Sequence, residues 1–104
     1  MRVALALLLL AACASPDRAY WGSDEQRVTI NGRDYAVYIR HDPGQTRPPV
    51  QVIRLGYARR PEHGAILIAM RQAAEQASGC TLIDGSATGD SGVMTARLDC
   101  SADS

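Results

Sequence analysis

The dipeptide Asn31-Gly32 constrains this chain more than any other pair of residues, because it separates two runs in which apolar and polar residues alternate. Asn-Gly readily takes up the positive φ angles of a tight hairpin turn, so the flanking runs return antiparallel to one another. Pairing Ile30 with Arg33 sets Val28 opposite Tyr35 and Gln26 opposite Val37. That register gathers Val28, Ile30, Tyr35, Val37 and Ile39 on one face and leaves Arg27, Thr29, Asp34, Tyr38 and Arg40 on the other. A slip of one residue would turn the apolar set to water, so one register is strongly specified.

Residues 41–49, with Pro43-Gly44 and Pro48-Pro49, read as a loop, and the branched residues of 50–57 read as a third strand. Pro61 suits a first helical turn, Glu62 complements the helix dipole and Gly79 suits the C-terminal cap, which predicts a helix over 62–78. Ile66, Met70, Ala73 and Ala77 form its apolar stripe, with Arg71, Gln72, Glu75 and Gln76 on the other side. Residues 65–70 are apolar all round, which leaves three readings open: ordinary core, a strand, or a surface for a partner.

Residues 81–84 and 93–99 flank a loop rich in Gly, Ser, Thr and Asp and read as a second hairpin. Pairing Cys80 with Cys100 places Leu82 opposite Leu98, on the same side as Ala96 and Met94. The order β-β-β-α-β-β, without internal repeat, predicts an α+β domain of two layers: an antiparallel sheet of about five strands on one helix, stapled by one disulfide.

The front of the chain carries a different message. Arg2, the apolar run 3–10 and the small residues before Cys13 have the organisation of a secretory signal, and the run is too short to span a bilayer. The segment Leu10-Ala11-Ala12-Cys13 resembles the lipobox of bacterial lipoprotein precursors. The resemblance implies that residues 1–12 are removed and that Cys13 becomes an acylated N-terminus, palmitate being one of the chains that such a residue carries. It further implies a periplasm-facing protein of the cell envelope. Ala14, where Asp would signal retention, favours the outer membrane over the inner. The alternative is ordinary cleavage after Ala12-Cys13-Ala14, which would discard the thiol. Residues 13–25, with Pro16 and Gly22 and no periodicity, read as a lipidated tether, leaving 26–104 as the single domain. Tyr20 and Trp21 interrupt the tether and suit either a membrane interface or packing at the start of the domain.

Removing residues 1–12 from 104 leaves 92, enough for one small domain. All eleven basic residues are arginine; once Arg2 is gone, ten face eleven acids, a net charge of minus one that offers no attraction to nucleic acid. With Cys13 acylated, Cys80 and Cys100 remain as an even pair in an exported chain, and no C-x-x-C spacing gives them a redox role.

The chemical motifs are sparse. Gly89-Asp90-Ser91-Gly92 matches the motif around the nucleophile of trypsin-like serine proteases, but the resemblance stops at four residues, and a hairpin loop accounts for them. His41-Asp42 and Glu62-His63 are too few to form a metal site, so no metal or cofactor is expected. Arg59 and Arg60 before Pro61, with Arg54 nearby, suit an anion at a helix N-terminus. The expectation is a non-enzymatic envelope lipoprotein, held to its membrane by lipid and acting as an accessory or interaction module for another envelope protein. The alternative is a periplasm-facing binding protein for an anionic small molecule or glycan, using the arginine corner.

Overall fold

In the computed structural model, residues 16–101 are described, and they fold as the sequence predicts, as an antiparallel sheet covered by one helix. The strands are β1 (Glu25–Ile30), β2 (Arg33–Ile39), β3 (Pro49–Arg54), β4 (Thr81–Leu82), β5 (Thr88–Gly89) and β6 (Val93–Asp99), and the helix α1 is His63–Ser78. Asn31 and Gly32 both adopt positive φ, 52° and 79°, and the β1–β2 register is Ile30 with Arg33, Val28 with Tyr35 and Gln26 with Val37.

The sheet order is β1-β2-β3-β6-β4, with β5 also pairing β6. β3 thus sits at the centre, antiparallel to β2 on one side and to β6 on the other. Its residues Val50 and Val52 are fully buried, as are Val37 of β2 and Leu98 of β6. These side chains point to one face and meet Ile66, Ala69, Met70, Ala73 and Ala74 of α1. The three alanines let the helix lie close against the sheet, and Met70 fills the space between them.

The helix is one residue shorter than expected. Arg60–Glu62 form a 3-10 turn with Pro61 in it, and α1 begins at His63. Gly79 ends the helix in the left-handed conformation, returning its N–H to the Glu75 carbonyl at 2.9 Å. The Glu75 carboxylate then accepts the Leu82 N–H at 2.8 Å, tying the helix end to β4. Leu82 pairs with Leu98 as predicted, and the disulfide joins Cys80 to Cys100 with 4.8 Å between their Cα atoms, packed against the core.

The tether expected over residues 13–25 is a finding in the other direction for its second half. Residues 16–23 lie on the opposite face of the sheet, where Arg18–Tyr20 form a 3-10 turn. Tyr20 is 4% exposed and packs with Ala36, Tyr38 and Ile53. The fully buried Gln51 side chain accepts the Asp17 backbone N–H at 2.8 Å and donates to the Asp17 carboxylate at 2.9 Å and to Thr95 Oγ1 at 3.1 Å. A short polar run gains enough from one buried aromatic and these bonds to stay down; local pattern alone could not show it. Within the described residues, packing on the sheet therefore begins ahead of Gln26.

Closing a loop of this length restricts the unfolded chain by about 3 kcal/mol on chain-entropy grounds, so reduction, or Cys80→Ser with Cys100→Ser, should lower stability by that amount. Urea unfolding of the oxidised and reduced protein checks this, and coincident midpoints would contradict it. The back face yields a pH prediction. Tyr38 donates its hydroxyl to Glu25 at 2.8 Å; burial first, and then that bond, push its pKa from the ordinary 10 up to about 12. A raised value favours the neutral phenol in the fold, so its contribution is complete below pH 10 and is lost as pH rises through 10 towards 12. Burial raises Tyr20 and Tyr35 in the same direction. Tyr38→Phe should flatten the alkaline limb of the stability curve; an unchanged limb would exclude Tyr38 as its source.

Candidate functional site

Most of the charged and hydrogen-bonding residues singled out in the sequence meet around the start of α1. Glu62, the last residue of the 3-10 turn, directs its carboxylate back at that turn: it accepts the Arg59 N–H at 3.2 Å and binds the Arg33 guanidinium. The Arg59 N–H first, and the two arginine charges after it, hold the Glu62 carboxyl below the usual carboxylate range. The protein's own carboxylate thus occupies the place where an external anion was expected.

The three arginines of the expected anion corner are divided. Arg54, at the end of β3, donates from Nε to the Gly56 carbonyl at 3.2 Å and from Nη1 to the Ser91 carbonyl at 3.1 Å. Arg59 and Arg60 are exposed. A concavity of about 340 Å³ lies beside the start of the helix, lined by Arg54, His63, Asp90, Ser91 and Gly92 and by neither Arg59 nor Arg60.

His63 and Ser91, 28 residues apart in the chain, come within 2.6 Å through Nδ1 and Oγ. The pairing was not legible, because the two residues lie in separate segments and only the folding of the β5–β6 hairpin over the helix start brings them together. The Gly89-Asp90-Ser91-Gly92 segment forms the tip of that hairpin. Gly89 has φ +106°, and a Cβ there would stand 2.2 Å from the Val93 carbonyl oxygen, so the backbone approach itself requires glycine. The Asp90 carboxylate accepts the N–H groups of Gly92 and Val93 at 2.8 and 3.1 Å, and these two bonds lower its pKa.

A nucleophilic serine needs an imidazole base that a further group orients. With the ring protonated on Nε2, Ser91 donates to His63 Nδ1, which is half of that arrangement. The other half is missing among the described residues: Asp90 spends its carboxylate on its own loop, and the Ser91 side chain is covered, the residue being 5% exposed. The contact acts as a clasp between hairpin tip and helix start, assisted by the Arg54 bond to the Ser91 carbonyl.

The other expected site residues are placed as follows. Cys80 and Cys100 form the disulfide, and Cys13 lies outside the described residues. His41 is exposed beside Asp42, and no group of three His, Cys, Asp or Glu among the described residues is arranged to hold a metal. No protein family, characterised protein or solved structure matches the chain.

Ser91→Ala leaves the His63 ring without its buried partner and should cost about 1 kcal/mol, with faster amide exchange in residues 88–93 than in the β1–β2 hairpin. Denaturation and hydrogen-exchange measurements decide; unchanged exchange at the tip would show that the contact holds nothing.

Proposed function

We propose that this protein is a lipid-anchored component of the bacterial cell envelope, without catalytic activity, whose domain presents α1 to another envelope protein. The anchor is Cys13, in the lipobox-like segment Leu10-Ala11-Ala12-Cys13. The even cysteine pair, joined in the structure, suits an oxidising compartment outside the cytoplasm.

The observation that carries the partner reading is the outer surface of α1. Ile66, Ala69 and Met70 of the all-apolar stretch are core, whereas Leu67 and Ile68 are 41% and 62% exposed. Leu67 borders a depression of about 260 Å³ between the helix and the β5–β6 hairpin, shared with Arg71, Ala87, Thr88, Gly89 and Met94. Two adjacent large aliphatic side chains beside an apolar recess rimmed by an arginine have the composition of an interface centre. The alternative, an anionic small molecule or glycan held at the arginine corner, has one observation in its favour, the position of Arg54 in the concavity next to His63.

Metabolic labelling with a fatty acid tests the anchor: label in the wild type and none in Cys13→Ser is expected, and equal label in both would end the assignment. A photoreactive residue at position 68 tests the partner surface in cells. A discrete protein adduct is expected there and not from position 27, on the opposite face of the sheet; adducts of equal yield from both positions would remove α1 from the interface. Labelling of Ser91 by a fluorophosphonate would overturn the non-catalytic reading.

A further inference from the structure

Consecutive residues Tyr20 and Trp21 divide between the two environments available to them. Tyr20 enters the back face of the sheet, while Trp21 is 64% exposed, the largest apolar group that the docked segment offers to solvent. The Trp21 indole N–H donates to the Pro16 carbonyl at 3.1 Å, so the ring folds back over the start of the docked segment. The Arg18 guanidinium lies over it, 5.6 Å from the ring centroid.

Two residues, Ala14 and Ser15, lie between Cys13 and Pro16, and three fully extended residue steps reach only about 11 Å. If Cys13 carries acyl chains, its glycerol sits at the boundary of the hydrocarbon core, and the headgroup layer there is roughly 5 to 8 Å deep. The indole ring is thereby confined to within about two ring widths of that layer, the depth at which tryptophan is enriched in membrane proteins. An aromatic ring with an apolar body and one N–H donor suits that depth physically.

We infer that Trp21 is a membrane-docking residue that seats the back face of the sheet on the bilayer surface and turns α1, with Leu67 and Ile68, towards the periplasm. This inference rests on the lipidation of Cys13 proposed above and adds an orientation to it. The docked segment and α1 cover opposite faces of one sheet, so fixing the first at the lipid points the second away. Charge is not what drives the contact: Arg18, Arg40 and Arg97 around the segment are matched by Asp17, Asp24 and Asp42, and Arg40 is already paired with Asp42 at 3.2 Å. The docking should accordingly survive salt.

Trp21 is the sole tryptophan, so its fluorescence reports the contact without a label. The acylated full-length mature protein, purified from membranes, is reconstituted into vesicles of phosphatidylethanolamine and phosphatidylglycerol, with or without lipids brominated on their acyl chains. A blue-shifted emission is expected, with about half the intensity lost to the brominated lipid and no recovery in high salt. Protein that floats with the vesicles but emits as in lipid-free solution overturns the inference and leaves the anchor standing. Protein that carries no acyl mass and does not float overturns both, and recovery of emission in salt shows an arginine-driven contact instead of a tryptophan-driven one. The orientation has its own control: in Trp21→Phe with Ile68→Trp, the new ring should be unquenched, and quenching equal to that of Trp21 would overturn the outward placement of α1.

Discussion

Burial of one sheet face beneath a helix lined with alanine is the constraint on which the rest of the domain depends. Val37, Val50, Val52 and Leu98 are closed off from water only because Ala69, Ala73 and Ala74 bring α1 near enough for Met70 to fill the remaining space. Larger residues at those alanine positions would lift the helix and open the layer between them. The pairing of β3 with β6 serves the same layer, since Val50 and Val52 of the one and Met94, Ala96 and Leu98 of the other belong to that core. The disulfide closes the end of this layer where β4 contributes only two residues.

The second face of the sheet is covered as well, by different means. There the residues are mixed, and the cover is a short segment held by one buried tyrosine and one buried glutamine. Gln51 is costly to bury unless all its polar atoms are used, and Asp17 and Thr95 use them. A polar group in that position acts as a selector, because only a segment offering a backbone N–H and a carboxylate at the right spacing leaves nothing unpaired. With the cover in place, only Ala14 and Ser15 lie between the described residues and Cys13 in the sequence.

Around the start of α1 the charged residues are committed to one another. Glu62 answers Arg33 and the Arg59 N–H, Arg54 answers two carbonyls, Asp90 answers its own loop and Ser91 answers His63. Of the residues that in isolation suggest anion binding or nucleophilic chemistry, Arg54, His63, Asp90 and Ser91 are bonded within the protein, while Arg59 and Arg60 are exposed. Among the described residues, large apolar side chains are exposed at Leu67 and Ile68 on the helix and at Trp21 on the docked segment, besides Tyr57 and Val93 in the loops and at the β6 end.

The sequence by itself determined the β1–β2 register, the helix and its C-terminal cap, the facing of Leu82 and Leu98 and the cysteine pair. Each of these follows from residues within about twenty positions, through turn geometry, side-chain periodicity or parity, and local rules are strong there. Only the tertiary structure decided that residues 16–23 lie on the sheet, that His63 meets Ser91, that Glu62 closes the helix start, and which apolar residues of 65–70 stay outside. Those contacts join segments 28 to 34 residues apart or depend on how much of a helix the sheet can cover. Their energies come from partners and area that no local pattern specifies, so they exist only once the whole chain has chosen its packing.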